Sequence, residues 1–230
     1  MNWPLLSLRA GVATSFGPSG QPSAIDKQPI DAPVFLDLNG FAADEQGDTL
    51  HHGGPEKAVH HYASEHYAAW HGELAGLDGV THLGPGGFGE NLSTLGLTET
   101  GVAVGDVFSL GQAIIQVSQP RQPCWKLNVR FNVPDMALRV QMSGRTGWYY
   151  RVLKPGRVQP DDVLRLTERP HPDWPLSRVM QLLYHDRLNI DDLSGLAQLS
   201  GLNPKMRQLA AQRVQRLTVE DWGRRLQGEI

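Results

Sequence analysis

Three prolines in seven residues divide this chain into two parts that obey different rules. The stretch RPHPDWP, residues 169 to 175, holds Pro170, Pro172 and Pro175. Proline lacks a backbone donor and pushes the residue before it toward extended conformations, so neither a helix nor a central strand runs through such a segment. Of the 25 glycines, 21 lie before it. Glycine and proline this frequent cut a chain into short strands and tight turns rather than long helices. Beyond the prolines, apolar residues recur at helical spacing, over 176–187, 190–200 and 204–216, with a short fourth element from Thr218. The expectation is a β-rich α+β unit over residues 1–170 and a small helical unit over 171–230.

Within the first unit, residues 1 to 17 read as an opening strand, and two short strands follow in SAIDKQPI and APVFLDLNGF. A helix is expected over about 62–76, because Tyr62, His66, Ala69, Trp70 and Leu74 share one face. Strands are expected between residues 95 and 118, where β-branched runs alternate with turn signals. PDMALRVQMSG, residues 134 to 144, reads as a helix with Pro134 in its first turn and Gly144 at its end. GWYYRVLKPGRV and DDVLRLTER supply the closing strands. With 230 residues the chain can bury a real core. A formal net charge of −3 draws it to neither nucleic acid nor a membrane surface. No apolar run approaches the roughly 20 residues that span a bilayer, and a single cysteine excludes an intrachain disulfide. A cytoplasmic, reducing location is expected.

The chemistry concentrates in QPRQPCWKLN, residues 119 to 128. Cys124 stands between Arg121 and Lys126 just after the apolar run AIIQVS, and neighbouring cations stabilise the thiolate, which is the reactive, metal-binding form. Two glycine loops accompany it. HHGGPEKAV brings Gly53, Gly54 and Lys57, and GPGGFGENL brings Glu90 and Asn91; oriented backbone amides beside a lysine bind anions. Neither loop is a P-loop or a dinucleotide fingerprint. Six of the nine histidines, His51, His52, His60, His61, His66 and His71, fall within 21 residues, but their spacing matches no zinc signature. Two glycine loops and a cation-flanked thiol favour a pocket for an anionic ligand.

HGGPEKAVHHYASEHYAAW, GFGENLSTLGLTE, GVAVGDVF, IIQVSQPRQPCWKLN and SGRTGWYYRVLKPGRV together resemble a MOSC domain of the YiiM type, and the last 55 or so residues resemble the three-helix domain that follows it. The resemblance implies a MOSC-type β-barrel with peripheral helices, followed by a C-terminal helical bundle. It implies binding of the molybdenum cofactor, with the molybdopterin form open, and Cys124 as the molybdenum ligand. Such domains also carry a generic assignment of pyridoxal phosphate binding. It implies reduction of N-hydroxylated compounds of the 6-hydroxylaminopurine type, with electrons from a separate flavoprotein reductase. His52, Gly53 and Gly54 then fall on the HGGP motif, and Glu90 and Asn91 on GENL. Lys27, Lys57, Arg121 and Lys126 are cofactor-binding candidates, and His61 or Glu90 is the candidate proton donor. His60 reads as a packing or surface residue, and Arg145 as a cation of unassigned place. Two other readings stay open: a non-catalytic carrier of the cofactor or its sulfur, and a cysteine nucleophile paired with histidine. The C-terminal helices favour packing or partner docking over nucleic acid, and an oligomer remains open.

Overall fold

The computed structural model describes residues 1–18, 20–47 and 53–228. Its strands and helices follow in chain order. Strands β1 (Asn2–Pro4), β2 (Ser7–Ala10), β3 (Thr14–Phe16), β4 (Gln21–Ser23), β5 (Gln28–Pro29), β6 (Val34–Asp37), β7 (Gly40–Phe41) and β8 (Val59–Ala63) lead to helix α1 (Glu65–Leu74). Then come β9 (Leu92–Thr94), β10 (Val107–Leu110), β11 (Ala113–Pro120), α2 (Lys126–Phe131) and α3 (Met136–Ser143). Strands β12 (Trp148–Lys154), β13 (Gly156–Val158) and β14 (Val163–Glu168) precede α4 (Leu176–Tyr184), α5 (Ile190–Gln198), α6 (Pro204–Arg216) and α7 (Gly223–Gln227).

The main sheet has nine strands in the order β1-β14-β10-β11-β12-β8-β9-β2-β5. All neighbours are antiparallel except β8 and β9. Only Leu5 and Leu6 separate β1, first in that order, from β2, eighth. Laid flat, those two strands would stand roughly 34 Å apart at the usual strand spacing, whereas three Cα steps reach only about 11 Å. The sheet therefore curls until its two ends meet. The seam shows in the backbone: Leu5 N–H donates to Asp162 O beside β14 at 3.1 Å, and Leu6 N–H donates to Ser93 O in β9 at 2.9 Å. This is the closed, barrel-like β-rich fold expected from the sequence.

One apolar core fills the barrel and continues into the helices. Val59, Leu92, Phe108, Ile115, Val117, Trp148 and Tyr150 pack in the same cluster as Leu176, Val179, Leu183, Leu193, Leu196 and Ala210. The proline segment crosses without a gap. Leu176 N–H donates to Val102 O, and Asn203 N–H donates to Ser118 O at 2.8 Å. A second cluster, centred on Tyr62, Trp70, Phe88 and Phe131, packs α1 against α2 and α3.

Several elements differ from the sequence expectation. The opening strand is three short strands. Tyr62 belongs to β8, so α1 begins at Glu65. Residues 95 to 104 turn at Gly96 (φ 82°), and the strands start only at Val107. Helix α6 ends on Leu217 in the left-handed region (φ 54°), so the fourth C-terminal helix starts at Gly223 and Thr218 caps nothing. No helix among the described residues is long and apolar enough to cross a membrane.

Candidate functional site

Cys124 ends a stiff passage, Pro120–Pro123, that leads out of β11, and α2 begins two residues later. The cysteine is 7% exposed and opens onto a cavity of about 620 Å³, counting the part open to solvent. Opposite it stand the stretch after β4, with Ile25 and Lys27, and the polar loop from Asp44 to Gly47. The remaining wall is His60 on β8, Gly89 and Asn91, and Tyr149 on β12.

Four cations and two carboxylates line this space among the described residues: Lys27, Lys57, Arg121 and Lys126 against Asp44 and Glu45. Lys126 is held by Pro22 O, which accepts from Nζ at 2.9 Å. Lys27 is ion-paired to Asp44; burial lowers its pKa, and the Asp44 charge opposes that. Asp44 also accepts from Gly11 N at 2.7 Å and from Asn91 Nδ2 at 2.9 Å. Asn91 Oδ1 in turn accepts from His60 N at 3.0 Å. One hydrogen-bonded chain thus fixes His60, Asn91, Asp44 and Lys27 relative to one another. Lys57 Nζ lies 5.7 Å from the centre of the Tyr149 ring, and the His60 ring lies 5.0 Å from it on centroids.

Two lining side chains carry buried nitrogens with no hydrogen-bond partner among the described residues, Arg121 Nη1 and His60 Nε2. Buried polar atoms are almost always paired, so an orphan on a cavity wall points to a missing ligand. Burial first, then the Arg121 charge, holds the His60 ring well below the usual imidazole pKa, while a bond to the Gly89 backbone pulls the other way. His60 is neutral at pH 7, and its buried Nε2 has no hydrogen-bond partner among the described residues.

The structure thus brings together Lys27, Lys57, Asn91, Arg121, Cys124 and Lys126. It does not bring His61 or Glu90 to the cavity. Successive side chains of β8 point to opposite faces, so His60 meets the cavity and His61 turns into the barrel. There His61 is fully buried, 2.9 Å from Tyr150 Oη and 2.9 Å from Thr94 Oγ1, and 4.3 Å from Trp148 on ring centroids. Burial lowers its pKa to about 3. Glu90 is also fully buried, accepting from Tyr67 Oη at 2.6 Å and Gly86 N at 2.6 Å. Burial raises its pKa above the usual carboxylate value against those two bonds. Gly53 and Gly54 line a neighbouring groove rather than this cavity, and His52 lies outside the described residues. Arg145 is bound to Glu73 through two contacts of 2.7 Å and stacks on Trp70 at 3.9 Å, away from the cavity. Among the described residues, which leave out His51 and His52, no group of three or more His, Cys, Asp or Glu could hold an ion.

Sequence reasoning passed over three contributors: His60, Asp44 and Tyr149. Asp44 sits in the polar loop that the sequence singles out, but its pairing with Lys27 is visible only in the structure. Tyr149 follows from β11–β12 pairing, which sets it opposite Gln119.

A MOSC domain profile matches residues 48–165, and a profile for the YiiM-like 3-alpha helix domain matches residues 174–217. Protein YiiM of Escherichia coli (strain K12) is 40% identical over 212 residues, covering 92% of this chain and 93% of that one. The chain belongs to the YiiM-like MOSC family. The crystal structure of YiiM from Escherichia coli superposes with a TM-score of 0.78 at 34% identity, covering 96% of this chain and all of that one. A protein of Gibberella moniliformis named "Reductase" is 38% identical over 197 residues, 85% of this chain but only 35% of that protein. The Cys124 cavity lies within the stretch matched as MOSC, apart from the Ser23–Lys27 and Asp44–Gly47 segments, which precede it. The donor set suits a molybdenum cofactor. It offers one soft thiol, a guanidinium and an imidazole nitrogen that lack hydrogen-bond partners among the described residues, and an excess of cations for a phosphate. With a single soft protein ligand, a metal here has to arrive already held by others.

Proposed function

We propose that this YiiM-like protein is a molybdenum-cofactor-dependent reductase of N-hydroxylated bases, of the 6-hydroxylaminopurine kind, with Cys124 as the molybdenum ligand. The observation that carries this reading is the cavity that Cys124 lines together with Arg121 and His60, two residues whose buried Nη1 and Nε2 have no hydrogen-bond partner among the described residues. The relative named as a reductase supports the reaction class. The bound cofactor would supply a metal able to pass electrons to the substrate's N–O bond.

The overall change is R–NH–OH plus two electrons and two protons, giving R–NH₂ and water. The N–O bond breaks and its oxygen leaves as water. The electrons come from a separate flavoprotein reductase. The chain's own residues bind and orient. Arg121 and Lys126 donate to anionic oxygens, with Lys27 and Lys57 adding charge from the other walls. His60 Nε2 accepts from an N–H or O–H of the bound group, because its ring is neutral. The Asn91–Asp44–Lys27 chain keeps these donors from turning. The 7% exposure of Cys124 and of Arg121 keeps bulk water off the ligating atom, which strengthens every charge contact there.

The test is turnover. Protein purified from a cofactor-making host is supplied with a flavin reductase, a nicotinamide and 6-hydroxylaminopurine, and formation of adenine is followed. Wild type is expected to form adenine and Cys124→Ala to form none. Undiminished turnover in Cys124→Ala contradicts the assignment. Bound cofactor with no turnover in wild type favours a carrier of the cofactor instead.

A further inference from the structure

Reducing an N–OH group needs a proton at the oxygen that leaves, and neither His61 nor Glu90 lines the Cys124 cavity. The described lining residues narrow the choice of donor. A guanidinium such as that of Arg121 keeps its protons in proteins. Asp44 and Glu45 accept N–H groups from Gly11 and Ala13, each at 2.7 Å, as carboxylates do. Lys27 is ion-paired to Asp44, and Lys126 Nζ donates to Pro22 O at 2.9 Å. A neutral imidazole has one N–H, and the His60 ring bonds to the Gly89 backbone. Ser23, Lys57 and Tyr149 remain on the wall. Tyrosine and lysine, unlike serine, are among the side chains that serve as general acids. Lys57 lines the neighbouring groove as well, so it stands at the cavity's edge.

Strand register puts Tyr149 where it is. Between β8 and β12, Tyr149 pairs with His60 and Trp148 pairs with His61. Residues directly opposite one another share a face of the sheet. The pairing that buries Trp148 against His61 therefore keeps Tyr149 beside His60 on the cavity wall, with ring centroids 5.0 Å apart. Lys57 Nζ lies over the other part of this wall, 5.7 Å from the centre of the Tyr149 ring. The hydroxyl feels both functional neighbours. Burial pushes its pKa above the usual phenol value, and the Cys124 charge adds to that, while the charge and hydrogen bonding of Arg121 oppose it. The phenol thus holds its proton at pH 7, and Arg121 steadies the phenolate left after that proton is given up.

We infer that Tyr149 is the catalytic acid of this site, giving its phenolic proton to the leaving oxygen of an N–OH group bound in the Cys124 cavity. The inference rests on the reductase reading. The phenol protonates the oxygen of R–NH–OH, the N–O bond breaks, and the oxygen leaves as water. Two electrons, supplied by the flavoprotein reductase, pass to nitrogen. One proton from solvent completes R–NH₂ and another restores the phenol, so the turnover consumes two electrons and two protons. Lys57, half-exposed above the ring, is placed to relay the restoring proton.

The first test needs no cofactor. A fluorotyrosine replaces Tyr149 in protein from a host unable to make the cofactor, and its fluorine NMR resonance is followed. Alkylation of Cys124 by iodoacetamide and, separately, Arg121→Ala are each expected to shift the resonance, because both groups act on this hydroxyl. A resonance that neither change moves puts the phenol away from the thiol and overturns the inference. The second test uses the loaded protein with the reductase in excess. Wild type and Tyr149→Phe are compared on 6-hydroxylaminopurine and on its O-acetyl ester, whose acetate leaves without needing a proton. The ratio of kcat on the hydroxylamine to kcat on the ester is expected to fall about a hundredfold or more in Tyr149→Phe, the effect of losing a general acid, with molybdenum content unchanged. An unchanged ratio sinks Tyr149 as the donor, even where both rates fall. Loss of molybdenum from Tyr149→Phe makes the phenol a cofactor-binding group instead and also overturns the donor role. A wild type that holds molybdenum yet reduces neither compound sinks the reductase reading, and the donor role falls with it even where the fluorine shifts are seen.

Discussion

His60 and His61 are neighbours on one strand and live in opposite worlds. His61 sits in the barrel core with both ring nitrogens engaged, by Tyr150 and Thr94, and a tryptophan against its face. His60 stands on the cavity wall with its buried Nε2 lacking a partner among the described residues, as does a buried nitrogen of Arg121. Both are nearly or wholly buried, and both are held neutral by burial. Burial and a shifted pKa therefore do not tell a functional histidine from a structural one here. Saturation does. Where every polar atom has a partner inside the protein, the group holds the fold; where partners are missing on a cavity wall, the group waits for a ligand.

The comparison can be broken most sharply at His61. His61→Ala leaves a cavity and strands two hydroxyls, so a loss of about 3–5 kcal/mol is expected in urea unfolding. His60→Ala should cost clearly less and weaken ligand binding instead. Equal losses in the two variants would erase the distinction. Acid sharpens the same contrast. A histidine whose folded pKa is depressed adds stability that is complete above its unfolded value near 6.5 and is lost as pH falls toward the folded value, about 3 for His61. Unfolding free energy should drop by roughly 1.4 kcal/mol per pH unit across that window for this one group, and His61→Gln should flatten the profile.

Arg121→Ala tests the other side. Cofactor affinity should fall about ten- to a hundredfold, the range for one charge-assisted hydrogen bond. Thermal stability should hardly move, because part of that guanidinium has no partner to lose. A large stability loss would make Arg121 a structural residue like His61.

The smallest effect is expected at Arg225, on the last helix. Its Nη1 donates to Pro123 O and its Nη2 to Gln141 Oε1 at 2.6 Å, while Arg225 O accepts from Trp125 N at 2.8 Å. Helix α7 thus grips both neighbours of Cys124. Arg225→Ala should raise the alkylation rate of Cys124 severalfold in cofactor-free protein, at a cost of about 1 kcal/mol or so. An unchanged rate would show that the Pro120–Pro123 passage needs no such support.

Much of this was legible in the sequence, and the parts that were not have physical reasons. The proline segment and the helical spacing beyond it placed α4, α5 and α6 to within a few residues. The barrel-like fold, the thiol between cations and the two glycine loops came from the motifs and the resemblance they carry. The choice between His60 and His61 was not readable, because all five residues of β8 are buried. A strand buried on both faces shows no polar–apolar alternation, so its register stays hidden until its partners are known. Helix α2 was missed because KLNVRF is one short turn-and-a-half ended by Asn132 in the left-handed region (φ 53°), with no glycine to mark it. Glu90 looked catalytic because a carboxylate in a glycine loop is normally solvated, and only the fold reveals the Tyr67 hydroxyl and Gly86 amide closing over it.

The central claim is that Cys124 and its unpaired neighbours hold a molybdenum cofactor, and metal content tests it most directly. Wild type, Cys124→Ala and His61→Gln are expressed in a cofactor-making host, purified without oxygen and assayed for molybdenum per chain. The account predicts near-stoichiometric metal in wild type, loss in Cys124→Ala and retention in whatever fraction of His61→Gln remains folded. Molybdenum bound as well by Cys124→Ala as by wild type would contradict it.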